Sequence, residues 1–302
     1  DCPQRNERMG WSGDLSAFSR TATYLADVDQ FLSRQMLAMR DIQREDGCFT
    51  EIAPLGDGFG GILWGSAGIT VVWEIFQRYG DKRILQDHYE AMKNYIAYLN
   101  TRIDTETGIV NEGPLGDWLS PEGNKNDNSL LWCAYYVYDL DIMARVATAL
   151  GKIDDAAIFM MKYNERKSHF NKTYVDEKSR RTIKSGFVST VFGPPGSGAP
   201  VATSSNGIQF IDTQASYAVP LALGVFNHEN IPYAVERLAY TCKRNNTDDD
   251  GVIRPEYSLM TGFIGTAWIT KALSDNGYND IAYFMLQQDS YPSWLYPVDQ
   301  GA

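Results

Sequence analysis

The sequence predicts an all-α fold, a closed ring of helical hairpins with one set of helices lining the inside and the other facing out. Three observations carry this. Apolar residues recur at three- and four-residue steps through about ten segments, which is the spacing of one helix face. Tyr79-Gly80-Asp81, Leu150-Gly151-Lys152 and Asn276-Gly277-Tyr278 each close one such segment and open the next, as a left-handed glycine cap at a short helix–helix turn would. The long polar loops fall between pairs rather than within them, so they gather at one end of the ring.

The elements follow in order. Asp14 is a candidate N-cap for a first helix carrying Leu15, Phe18, Ala22 and Leu25 on an apolar face. Residues 27–44 show Phe31, Leu32, Met36, Met39 and Ile42 at helical steps, and Asp46-Gly47 ends them. A glycine-rich loop spans 53–61. Helices are predicted over 66–79 and 82–102, then an acidic, glycine-dense loop over 104–127. The next pair covers 130–150 and 154–174. Residues 176–211 are basic and then rich in Gly, Pro and Ser; they read as an inserted loop or lid with short strands around 186–192. Two further pairs cover 213–225 with 232–244, and 262–274 with 279–287, Pro220 being expected to kink the first of these helices.

Composition sets the limits. With 302 residues, 44% hydrophobic and 13% aromatic, the chain can bury a large core in one domain, and we read 1–302 as a single domain. No apolar run reaches the roughly 20 residues of a membrane-spanning helix. A net charge of -11 argues against a nucleic-acid partner. Cys2, Cys48, Cys133 and Cys242 are widely separated with no C-x-x-C; their even number permits disulfides, but the spacing reads more easily as four independent thiols. His88, His169 and His228 are too few and scattered for a histidine metal site or a Ser-His-Asp triad, and read as surface or helix-end residues. Asn246-x-Asp248-x-Asp250-Gly251 opens like a calcium loop, but Tyr257 stands where the twelfth-position Glu is required, so it reads as a turn. Lys178, Arg180, Arg181 and Lys184 read as an exposed basic loop. No metal or cofactor is expected.

Chemistry concentrates in Asp1-Cys2-Pro3-Gln4-Arg5-Asn6-Glu7-Arg8-Met9-Gly10-Trp11-Ser12-Gly13-Asp14. Pro3, Gly10 and Gly13 keep this stretch off a continuous helix or strand, so several side chains can turn toward one point. Carboxylates mixed with an indole suit a sugar: the acids grip hydroxyls and move protons, and the ring covers the C–H face. The same residues also fit a polar surface loop that ends in a helix cap.

This opening stretch resembles the signature of the bacterial α-L-rhamnosidases, the inverting glycoside hydrolases of family seventy-eight. Trp64-Gly65-Ser66-Ala67, Gly116-Asp117-Trp118, Asp212-Thr213-Gln214-Ala215, Thr261-Gly262-Phe263-Ile264-Gly265-Thr266 and Ser293-Trp294-Leu295-Tyr296 agree in order, so the resemblance covers the whole chain. It implies an (α/α)₆ barrel of twelve helices, of which the last pair is missing here, and Glu7 as general acid. Trp11, lying four residues beyond Glu7, would disfavour the charged carboxylate through its apolar ring. Arg5 and Arg8 flank that acid, and at least one of them should point away or pair with Asp1 or Asp14, since two arginines facing Glu7 would lower its pKa. By the same resemblance Asp1, Arg5 and Asp14 bind sugar hydroxyls, and Trp11, Trp64 and Trp118 form an aromatic wall suited to the methyl group of a 6-deoxy sugar. Asp117 is a possible further sugar ligand, or a turn residue.

The family's general base is a Glu just past a Gly-Ala-Thr-Thr stretch, and Gly301-Ala302 stand where that stretch begins. The resemblance therefore implies a chain incomplete at its C-terminus, weakly active or inactive alone, with other domains in the parent chain; Glu112, Asp117 and Glu256 are acids on plausible loops without a motif to promote them. The expected substrate is a rhamnose-containing oligosaccharide or glycoside, and the resemblance suggests a periplasmic or secreted protein. The alternatives are another glycosidase or a polysaccharide lyase on the same barrel, or a sugar-binding helical module without turnover.

Overall fold

A computed structural model of the chain describes residues 7–189 and 207–301. The molecule is helical, with twelve α-helices and one two-stranded ladder among the described residues. It divides into two compact units: one holds residues 7–115 and 135–166, the other 116–134, 167–189 and 207–301.

The first unit is organised on α4 (Ala67–Tyr79), whose residues from Ala67 to Val72 are all buried. Helices α1 (Ser12–Leu25), α2 (Asp29–Asp41) and α5 (Lys82–Thr101) pack against it. A helix apolar on most of its circumference is stable only when surrounded in this way. The Gly80 junction follows the sequence reading. Gly80 adopts φ 75°, its N–H donates to Phe76 O at 2.8 Å, and Asp81 caps α5 by accepting from Arg83 N at 2.9 Å. Two long helices, α6 (Asn128–Ala149) and α7 (Ile153–Tyr174), are joined at Gly151, where φ is 74° and Lys152 N donates to Ala147 O at 2.8 Å.

The second unit is built on α8 (Gln214–Ala222), which packs on α10 (Phe263–Asp275) and α9 (Ile231–Lys243), with α11 (Asn279–Gln287) beyond. Gly277 closes α10 at φ 85°, and Tyr278 N donates to Leu273 O at 2.9 Å. Pro220 lies inside α8, which ends at Ala222, three residues short of expectation.

Several expectations are corrected. Helix α1 starts at Ser12 with Trp11 at the N-cap, so Asp14 sits in its first turn and caps nothing. Its buried face is Ser12, Gly13, Ser19 and Thr23, while Phe18 and Leu25 are exposed. The reason is close approach: a Cβ on Gly13 would stand 2.4 Å from the Trp64 indole nitrogen, and Ser16 Oγ meets Thr70 Oγ1 at 2.9 Å. Helix α2 is shorter than predicted, and Phe31 faces outward although Leu32, Met36 and Met39 are buried. A short α3 (Ile62–Gly65) precedes α4, and α12 (Leu295–Asp299) was not foreseen. The calcium-like stretch is a hairpin, β1 (Asn246–Thr247) against β2 (Ile253–Arg254), with Asp248 accepting from Val252 N at 2.8 Å and pairing with Arg254.

Residues 186–189 form no strand; bridges Val175–Thr182 and Ile183–Phe210 flank them, and 190–206 of the expected lid lie outside the described residues. Arg181 of the basic stretch is not a free surface charge but pairs with Asp212. His88 is buried on α5, and burial pushes its imidazole down to about 4. Cys48, Cys133 and Cys242 are buried thiols outside any disulfide among the described residues; Cys2 is outside the described residues.

Candidate active site

Of the opening stretch, Asp1 and Arg5 lie outside the described residues, and the site is built from Glu7 onward. Trp11 has extended backbone at the N-cap of α1 and forms an antiparallel bridge with Ile52. Gly10 O accepts from Ala53 N at 3.1 Å, and Ser12 N donates to Glu51 O at 2.8 Å, so both sides of Trp11 are stitched to residues 51–53. Glycine is needed at position 10 because a Cβ there would stand 2.2 Å from Ala53 O. The indole is thereby fixed, half-buried, with Phe59 edge-on at 5.1 Å.

From that position the Trp11 indole N–H donates to Glu7 Oε2 at 2.6 Å, and Glu7 itself is exposed. The sequence suggested that the apolar ring would cover Glu7; the structure presents the polar edge of the ring instead. A bond of this length orients that carboxyl oxygen. Asp14 follows in the first turn of α1. Burial raises its carboxyl above the usual range, its own backbone N–H opposes that, and the negative charge of Glu7 raises it further. Trp64 is only 3% exposed. It lies between Gly13 and Gly60, either of which would collide with the indole if given a side chain, so it supports α1 from below rather than offering a free face.

Glu112 and Glu51, also in this unit, are buried. Glu112 accepts from Tyr98 Oη at 2.9 Å on one oxygen and from Arg102 Nε at 2.8 Å on the other. Glu51 accepts from Gly61 N at 3.1 Å, and burial pushes its carboxyl up to about 7. Nothing in the sequence pointed to Glu51; a single Glu before a glycine-rich loop has no periodic or motif signal.

In the second unit, Asp117 is 6% exposed and accepts from Gly262 N and Gly265 N, each at 2.7 Å. It closes the N-terminus of α10, where unpaired N–H groups and the helix dipole both favour a carboxylate. Burial pushes Asp117 up to about 6, with those N–H bonds opposing. Trp118 is half-buried, and its carbonyl accepts from Phe263 N at 2.7 Å. Glu122, on the same loop, accepts from Gln214 N at 3.3 Å at the start of α8; burial pushes it up to about 7 against the Lys125 charge. Asp212 takes Arg181, Arg237 at 2.5 Å and Tyr217 Oη at 2.5 Å, and Thr213 caps α8 through a reciprocal bond pair with Ser216. Glu256 is exposed. No group of three or more His, Cys, Asp or Glu side chains is placed to hold a metal, and no helix is long and apolar enough to cross a membrane, among the described residues.

The bacterial alpha-L-rhamnosidase 6 hairpin glycosidase domain matches residues 1–302. The chain belongs to that family. It is 31% identical over 307 residues to an alpha-L-rhamnosidase of Streptomyces avermitilis, covering 100% of this chain and 25% of that protein. It is 29% identical over 310 residues to one of Formosa agariphila, covering 100% and 29%. Among solved structures, the Streptomyces avermitilis alpha-L-rhamnosidase complexed with L-rhamnose superposes with a TM-score of 0.76 at 30% identity, over 98% of this chain and 25% of that one. The alpha-L-rhamnosidase from Dictyoglumus thermophilum gives 0.81 at 28% identity, over 100% and 31%. The chain thus spans a quarter to a third of the length of these relatives. Their six-hairpin glycosidase domain is helical, as this chain is.

Proposed function

We propose that the 302 residues form one catalytic domain that releases terminal α-L-rhamnose from rhamnosides by an inverting acid/base reaction, with Glu7 as general acid. The observation that supports this most directly is the Glu7 carboxylate, exposed and oriented by the Trp11 indole N–H at 2.6 Å. A general acid must reach the glycosidic oxygen with one oxygen while the other is held, and the indole bond is suited to the holding. Asp14, one turn into α1, would accept sugar hydroxyls; the proposed partners beyond the described residues are Asp1 and Arg5. Trp118 stays a candidate for the apolar side of the sugar, and Trp64 would act indirectly, through α1. Asp117 keeps only a supporting part, because both its oxygens hold α10.

An inverting reaction also needs a second carboxylate that activates water, roughly 6.5–9.5 Å from the first. Glu112 and Asp117 are poor choices for it, since each is buried with both oxygens bonded. The activity is proposed for a polypeptide in which further domains accompany this one, in keeping with the share of each relative that is matched.

Rhamnose release from aryl rhamnosides, with the product anomer followed by NMR, tests the reading. Appearance of the inverted anomer and its loss in Glu7→Gln are expected. Equal turnover in Glu7→Gln would remove Glu7 from the reaction. Faster cleavage of other aryl glycosides would replace rhamnose as the substrate, and unchanged sugar affinity without any turnover would make the domain a binding module.

A further inference from the structure

The loop between α2 and α3 contains a buried carboxylate that the reaction above does not use. Glu51 is 7% exposed and forms no ion pair among the described residues. Holding a carboxylate inside a protein without a cation beside it is costly, and a neutral side chain would fill the same space at less cost. Its surroundings are nonetheless shaped around it. Glu51 Oε1 accepts from Gly61 N at 3.1 Å, and Gly60 N also bonds to the carboxylate. Gly58, at φ 129°, passes so close that a Cβ there would stand 2.1 Å from Glu51 Oε2. Gly61 is also left-handed at φ 72°, where a side chain would be strained. Residues 58–61 therefore wrap the carboxylate as a ribbon that only glycines permit, and the single side chain interrupting them is Phe59.

Phe59 is the ring that meets Trp11 at 5.1 Å with an interplanar angle of 69°. The backbone of Glu51 is tied to the same place, since its carbonyl accepts from Ser12 N and the next residue bridges Trp11. We propose that Glu51 is a positioning residue for the Trp11–Glu7 pair, its carboxylate holding the ribbon 58–61 so that Phe59 fixes the angle at which the indole N–H reaches Glu7. This rests on the reading of Glu7 as proton donor. Glu51 does not itself touch the sugar. The charged groups around it are Glu112, which disfavours its ionisation, and Arg44, which favours it, and the acceptor strength of the carboxylate rises as it ionises.

The test uses Glu51→Gln, Phe59→Leu and the double variant. Glutamine keeps one acceptor oxygen but turns an NH₂ toward the other side of the ribbon. Glu51→Gln is expected to lower kcat on an aryl rhamnoside by roughly 10- to 100-fold, the scale of a 1 Å misplacement, with KM changed far less. Phe59→Leu should do the same, and the double variant should be no worse than the poorer single one, because both act along one path. A second readout does not need turnover: the near-ultraviolet circular dichroism of Trp11, isolated by subtracting Trp11→Phe, should weaken in Glu51→Gln and in Phe59→Leu. Normal kcat with an unchanged Trp11 band in Glu51→Gln, or losses that simply add in the double variant, would overturn the proposal. If Glu51→Gln does not fold, an unchanged Trp11 band in Phe59→Leu overturns it equally. A wild-type chain inactive on rhamnosides sinks the functional reading instead, and the Trp11 band still decides the role of Glu51.

Discussion

Two loops in this molecule have nearly the same composition and do opposite things. Residues 7–14 place a glutamate, an aspartate, a tryptophan and two glycines before and in the first turn of α1; residues 116–122 place an aspartate, a glutamate, a tryptophan and a glycine before α6. In the first loop the glutamate is exposed and accepts from the indole N–H. In the second, both carboxylates are buried and turned into helix N-termini, Asp117 onto α10 and Glu122 onto α8. Residue type does not separate a reacting acid from a structural one. What separates them is whether a helix start uses the acid: Asp117 and Glu122 accept from N–H groups at the starts of α10 and α8, whereas α1 is N-capped by Trp11 without a side-chain bond.

The largest expected difference between the loops is kinetic. Glu7→Gln should lower kcat on aryl rhamnosides by about 10²–10⁴-fold, the usual contribution of a general acid. Because Glu7 is exposed, the melting temperature should barely move. A large fall in stability with kcat preserved would reverse the comparison.

Asp117→Ala should show the opposite signature. It leaves two buried N–H groups at the start of α10 without an acceptor, a loss of about 3 kcal/mol in denaturant unfolding. Residual activity per folded molecule should stay well above that of Glu7→Gln. An unfolding midpoint equal to wild type would show that water replaces the carboxylate and that Asp117 is available for a ligand.

These two loops also show what could be read from the residues alone. The hairpin junctions at Gly80, Gly151 and Gly277 were legible because a helix stop is local: the left-handed turn and its closing hydrogen bonds involve neighbours in sequence. The family motifs were legible too, but not their division of labour. Asp212-Thr213-Gln214 marks a helix start, with Asp212 ion-paired, Thr213 capping, and Gln214 spanning Ser258 O and Met260 N. Trp64 matches the family's aromatic wall by motif, and its burial between two glycines is visible only in the structure. The inward face of α1 is not legible from hydrophobicity, because tight packing on α3 and α4 selects small residues, polar or not. Glu51 and Glu122 gave no signal, since a buried acid is defined by contacts far along the chain.

Glu122 allows the comparison to be sharpened by pH. Its folded carboxyl lies near 7, above the ordinary value of 4.5, so the folded state holds the proton more tightly than the unfolded one. Stability from this group is therefore fully present below about 4.5 and is lost as pH rises through about 7. Glu122→Gln cannot ionise and lacks this dependence. The stability of wild type minus that of Glu122→Gln should be greatest near pH 5 and should fall, and even change sign, by pH 8. A difference that stays flat over that range would mean that Lys125 and Gln214 hold Glu122 ionised throughout.

The smallest effect concerns the seam between the reacting loop and its support. Gly13 lies two residues past Trp11, and an added Cβ would stand 2.4 Å from Trp64 Nε1 and 2.5 Å from the adjoining ring carbon. Trp64 cannot retreat, because Gly60 packs on it with the same tightness. Gly13→Ala must therefore move the first turn of α1. Alanine favours a helix over glycine by about 1 kcal/mol, while forcing a methyl into a packed site costs typically 1–3 kcal/mol, so the net loss should be about 1 kcal/mol. Since Ser12 is hydrogen-bonded to both Glu51 O and Trp64 O, the shift should pass to Trp11 and reduce kcat measurably at this small cost in stability. If Gly13→Ala is destabilised by that amount and keeps full kcat, the first turn of α1 moves independently of the Trp11–Glu7 pair, and the site is set by residues 51–53 alone.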